Sequence, residues 1–149
     1  MASGVGASLD STILASVLGN AAGTLVVSPG MFGALYKTAV IGNAKSGGTE
    51  WTTSDTTNYA RLSFGVGTAN WSIAAFVSGT GCVGTNINQV AFGSYISGSA
   101  SQSIFSVGFN SLLSGAGTLL WFADLGSAQT VTPGIIVQFN AGDASCTLL

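Results

Sequence analysis

Five acids (Asp10, Glu50, Asp55, Asp124 and Asp143) and three cations (Lys37, Lys45 and Arg61) make up the whole charged inventory of this chain. Histidine is absent, which removes the usual proton shuttle at neutral pH and the commonest nitrogen ligand for metals. A Ser–His–Asp or Cys–His nucleophilic arrangement is therefore impossible. Glu50 and Asp55 are near enough in sequence to meet across a loop. Two carboxylates held about 5–9.5 Å apart across a sugar cleft would suit a hydrolase of cell-wall sugars. Every acid, however, lies within two residues of a Gly, Ser or Thr, which reads as solvated turn and cap positions. The D-x-D-x-D-G spacing of a calcium loop is missing, so neither metal nor cofactor is expected and the chain is not expected to be an enzyme.

One motif imitates a nucleotide site. Gly79-Thr80-Gly81-Cys82-Val83-Gly84 matches G-x-G-x-x-G after the apolar run Trp71–Val77. A dinucleotide site needs a helix to begin there, so that its first amides hold the pyrophosphate. The residues that follow, Thr85 to Val90, are β-branched and Asn-rich, and position 104 is Ile where an acid would bind the ribose. The motif reads as a turn. Cys82 and Cys146 belong to no CxxC pair and read as small buried apolar side chains, with pairing between them left open by the spacing. Asn70-Trp71-Ser72 is a glycosylation sequon in form, but Trp71 is expected to lead a core strand.

The aromatic side chains offer flat faces on which sugars stack. Trp71, Trp121 and Tyr36 sit within apolar strand patterns and are expected to pack in a core or between subunits. Trp51 lies in a polar stretch, Glu50-Trp51-Thr52-Thr53, and is expected to be an exposed anchor at a protein interface. Glu50 and Arg61 are expected to pair and fix the loop 42–58 against the sheet. An exposed pair contributes about 0–1 kcal/mol, so its value lies in positioning. Glu50, Arg61, Trp51 and Tyr59 are thus the structural or interface candidates.

Composition sets the frame for these residues. Only 5% of the 149 residues are charged and the net charge is −2, against about 25% charged in ordinary soluble proteins. Three scattered cations form no patch for nucleic acid. Mean hydropathy is positive, so part of the surface is expected to be buried against copies of the chain or a partner. No apolar run reaches the 18 residues of a membrane helix, because Gly, Ser, Asn or Thr interrupts every run. Met1–Asn20 lacks a basic n-region and is not expected to be a signal peptide.

A single domain is expected over residues 1–149, with 1–9 as a flexible arm. Asp10 is a good N-cap, Ile13, Leu14, Val17 and Leu18 share one helical face, and Gly19-Asn20 stop the segment. The rest reads as β: Phe32–Thr38, Tyr59–Phe64, Trp71–Val77, Ile87–Phe92, Ser103–Phe109, Thr118–Ala123, Gly134–Phe139 and Ala144–Leu148, with 42–48 and 78–84 as loops. Short strands about ten residues apart predict an antiparallel sandwich or barrel, and 22 glycines suit its turns. No fixed-period repeat is present.

The order of several short motifs resembles a family of small virion proteins of tailed bacteriophages, labelled tail-fibre, minor structural or Gp80-like. Leu14–Asn20 looks like its helix end, Ala34-Leu35-Tyr36-Lys37-Thr38 like its first strand, and Gly47–Glu50 and Tyr59-Ala60-Arg61 match closely. Thr118–Leu125, Thr130–Gly134 and Phe139–Asp143 with Thr147-Leu148 look like its ending. Two departures are a segment 78–101 richer in Gly and Ser, and Pro133 where Asn or Asp is usual. The resemblance implies a virion structural protein with a jelly-roll-like β-sandwich. It points first to a capsid decoration (cement) protein that bridges capsomers as a homotrimer, with the major capsid protein and its own copies as partners. A tail or tail-fibre component, binding host carbohydrate through Trp51, is the alternative.

Overall fold

The computed structural model describes residues 3–5, 30–40, 48–56, 58–77, 81–93 and 101–148. These residues form ten strands: β1 (Ser3–Val5), β2 (Phe32–Tyr36), β3 (Leu62–Ser63), β4 (Trp71–Val77), β5 (Gly81–Asn86), β6 (Val90–Ala91), β7 (Gln102–Asn110), β8 (Leu119–Val131), β9 (Gln138–Phe139) and β10 (Ser145–Leu148). Every pairing among them is antiparallel. They make a five-stranded sheet in the order β1-β8-β7-β2-β3, a three-stranded sheet β10-β5-β4 and a two-stranded sheet β6-β9. The helix expected over Asp10–Asn20 and most of the 42–48 loop lie outside the described residues. Of the expected arm 1–9, Ser3–Val5 pairs with Ala123, Phe122 and Trp121 of β8.

Strand β2 is buried on both faces, which is why it reads as a nearly continuous apolar run. Leu35 joins Trp51, Phe92, Ile104 and Val131 on one face. Ala34 and Tyr36 join Val40 and Phe122 on the other. A third cluster of Phe64, Trp71 and Ala144 takes in Phe109 of β7 and Phe139 of β9. Phe139 packs against the first cluster as well, so side chains of the smaller sheets meet the large sheet through shared aromatic rings. Phe64 stands edge-on to Phe109 with centroids 4.8 Å apart and to Phe139 at 5.6 Å, the arrangement that ring quadrupoles favour.

Three departures from the sequence expectation have physical reasons. Strand β8 runs to Val131 and not to Ala123. Its register with β7 jumps from Ser106↔Asp124 to Ile104↔Gln129, so residues 125–128 bulge out, with Gly126 at φ 75°. Asp124-Leu125-Gly126-Ser127 therefore carries turn chemistry inside a strand. The expected loop 78–84 ends in β5, where Gly81 sits at φ 79° beside an irregularity in the β4–β5 ladder. The expected strand Gly134–Phe139 shrinks to Gln138–Phe139 because Thr132–Ile135 closes a turn, with the Ile135 amide donating to Thr132 O.

Gly108 marks a tight point of the large sheet. A Cβ there would lie 2.7 Å from Leu119 Cδ1, 3.0 Å from Tyr36 Cε2 and 3.3 Å from the Trp121 carbonyl. Gly108→Ala is expected to cost about 1–3 kcal/mol through overpacking, read as a lower denaturant midpoint with an unchanged slope.

Candidate functional site

The residues singled out in the sequence converge on the free edge of β2. Strand β3 pairs only with Phe32 and Gly33. Beyond that point residues 49–51 run antiparallel along the same edge: the Lys37 amide donates to Thr49 O, the Trp51 amide donates to Leu35 O, and Tyr36 bridges Glu50. The Leu35 amide, which a longer ladder would give to a backbone carbonyl, donates instead to Tyr59 Oη at 3.1 Å. Backbone pairing and one phenol thus set the position of Glu50.

Around Glu50 the side chains form a clasp. Tyr59 Oη donates to Oε1 at 2.8 Å; Arg61 Nε donates to Oε1 at 2.8 Å and its Nη2 to Oε2 at 2.6 Å. The remaining guanidinium nitrogen, Nη1, donates to Leu112 O in the turn between β7 and β8. The Arg61 side chain is 9% exposed and that of Glu50 is 23% exposed, so the fork geometry works in a partly dry setting. The bonds to Glu50 hold the guanidinium above its ordinary pKa against the opposing effect of burial. Burial, with the Glu50 charge adding to it, drives the Tyr59 phenol far above its usual range. Tyr59 is a neutral donor here at any physiological pH. The expected Glu50–Arg61 pair is present, and it joins three chain segments.

A second clasp holds the same loop from its other side. Lys37 Nζ lies 2.9 Å from both carboxylate oxygens of Asp55, and Asp55 Oδ2 also accepts from the Thr52 amide and hydroxyl. Burial pushes the Asp55 carboxyl up, but the Lys37 and Thr52 hydrogen bonds outweigh it and hold the group below the usual carboxylate value. A carboxyl lower in the folded than the unfolded state contributes stability above the unfolded value and loses it as pH falls through the folded one. The melting temperature is therefore expected to drop below about pH 4, and Asp55→Asn to flatten that acid limb. Thermal melts from neutrality down to about pH 3 check it. The suggested pairing of Glu50 with Asp55 as two carboxylates is not realised, since each bonds a different cation.

Trp51 corrects its expectation. It is 3% exposed, sits in the core with Leu35 and Phe92, and donates from Nε1 to Ser103 O at 3.2 Å. Its polar neighbours misled because one turn, with the Asp55 and Thr56 amides both donating to Thr52 O, points them outward while Trp51 points in. It offers no face to a sugar or a partner. Tyr59 is half-buried and stacks near Phe92.

Two buried polar junctions were not legible in the sequence. Ser106 Oγ accepts from the Val40 amide at 3.0 Å and donates to Asp124 Oδ1. Asn86 Nδ2 donates to the carbonyls of Asn88 and Asn140, while its Oδ1 accepts from the Ala144 amide. Both residues stand in Ser- and Asn-rich stretches whose composition signals only turns. The G-x-G-x-x-G run enters strand β5, where no helix begins. Cys82 and Cys146 are free thiols on neighbouring strands, Cys146 opposite Gly84 and Cys82 opposite Leu148. Burial pushes the Cys146 thiol up to about 12, which leaves it unreactive at neutral pH. Among the described residues no group of three or more His, Cys, Asp or Glu is placed to hold a metal, and no helix is long and apolar enough to cross a membrane.

The described residues define a mainly β, antiparallel protein whose ionised groups brace its own loops. The comparison with known families makes the class specific: the family model described as podophage GP4 fiber I protein gp80 matches residues 4–147, and the chain belongs to that family. It is a phage structural protein, and its place is the virion. No curated protein matches the chain.

Proposed function

We propose that this protein is a fibre subunit of the phage particle, one β domain repeated in the virion and held by copies of itself and neighbouring virion proteins. The observation that carries this reading is the family description, which is that of a fiber protein. Capsid decoration as a homotrimer bridging capsomers, the first reading from sequence, is the rival location on the same particle. The physical design supports either assembly role: low charge reduces the desolvation cost of covering a surface on several sides, and repeated weak contacts gain from multivalency. A sandwich-like, jelly-roll-like packing of the small sheets on the large one would give a rigid block for such contacts. The role calls for no catalysis, cofactor, nucleic acid or membrane.

Quantitative gels of purified virions, with heads and tails separated, test the location. A fibre subunit should travel with tails in tens of copies or fewer. Hundreds of copies on isolated heads would reverse the assignment in favour of cement.

A further inference from the structure

Residues 48–56 lie along the body of the domain as a strap, and both acids that tie it down stand on the strap itself. Their cations stand outside it: Arg61 just before β3 and Lys37 just after β2. Among the described residues these are the two ion pairs. Backbone pairing adds only a short run. The Lys37 amide donates to Thr49 O, the Thr49 amide to Thr38 Oγ1 and the Trp51 amide to Leu35 O. Between the two clasps the Trp51 ring enters the core.

Glu50 faces Arg61 and the phenols of Tyr59 and Tyr36. Asp55 faces Lys37, and its bonds to Thr52 are internal to the strap. Burial holds both phenols above their ordinary range, so they stay neutral. Acid therefore acts on the strap through its carboxyls alone. Protonating them removes the charge from both clasps at once, and charge-assisted hydrogen bonds are roughly twice as strong as neutral ones. Asp124 and Asp143, the other described acids, bond the neutral donors Ser106 and Asn140. The ladders joining β2, β7 and β8 contain no residue of 48–56. A segment fixed by so few ties opens at lower cost than the sheet beneath it.

We propose that residues 48–56 form an acid-released strap, which leaves the edge of β2 as a local unit when its carboxylates are protonated while the rest of the β fold stays closed. Its release uncovers the edge of β2 and the side chains of Leu35 and Phe92 that pack with Trp51. The device belongs to the single chain and does not depend on where in the virion the protein sits.

Hydrogen exchange of the full chain, read at single amides between about pH 6 and about pH 2.5, tests the strap. Protection factors, corrected for the intrinsic pH dependence of exchange, should fall about tenfold or more in acid at the Lys37 and Trp51 amides. The Phe64 and Phe92 amides, which donate to Met31 O and Val137 O outside the strap, should keep theirs. In the double variant Glu50→Gln/Asp55→Asn the strap amides should already be at the low value at the higher pH, with no further loss in acid. Should that variant misfold, the wild-type data and Asp55→Asn alone, which should lose part of the acid response, decide the matter. Equal loss at all four amides, strap protection indifferent to acid, or a full acid response in the double variant overturns the proposal.

Discussion

Trp51→Ala should lower stability by about 3–5 kcal/mol, the usual result of removing a buried indole from a core. Trp51 lies among Leu35, Phe92, Ile104 and Val131 and ties the 48–56 segment to β7 through its bond to Ser103 O. The truncation leaves a void among side chains anchored on separate strands, which cannot close together without shifting the sheet. Guanidinium titration followed by circular dichroism gives the measurement. A loss under about 1 kcal/mol, as expected of an exposed residue, would contradict the core assignment. Any change in glycan binding by this variant must be compared with its unfolding, because the ring itself is not on the surface.

Arg61→Met should cost about 2–3 kcal/mol, because the substitution leaves Glu50 ionised and partly buried with only Tyr59 and water as partners. Three guanidinium donors are lost at once, two to Glu50 and one to Leu112 O. The effect therefore spreads to the turn between β7 and β8 as well as the loop before Tyr59. Glu50→Gln should cost less, since the amide keeps an acceptor for Tyr59 or Arg61. The double variant should fall short of the sum of the singles, which is the signature of a shared contact. Denaturant midpoints of the four proteins give the coupling, and limited proteolysis shows whether the 48–56 loop loosens. A single-variant loss below about 0.5 kcal/mol would make the clasp an ordinary surface pair.

The sequence revealed the clasp because charge is so scarce. With eight ionisable acids and cations in 149 residues, an acid in a loop and a cation on the following segment stand out against Ser, Gly and Thr. The strands β2, β4 and β7 were legible because apolar and aromatic residues recur in them between turn residues. Trp51 failed the same logic, because local polarity reports the average of a segment and not the direction of one side chain within a turn. The far half of β8 and the start of β5 failed because Gly and Asp serve bulges as readily as turns, and only the facing strand decides between them.

By itself, then, the sequence determined how few charged groups the protein has to work with, five acids and three cations and no histidine. It also determined the antiparallel β character and the two partners of the clasp, since alternation and scarcity are local properties that need no fold to be read. The tertiary structure alone decided which way Trp51 faces and that Tyr59 completes the clasp. It also decided that Asp55 answers to Lys37. Each of these depends on which segments lie side by side, and register between distant strands is set by the packing of the whole core.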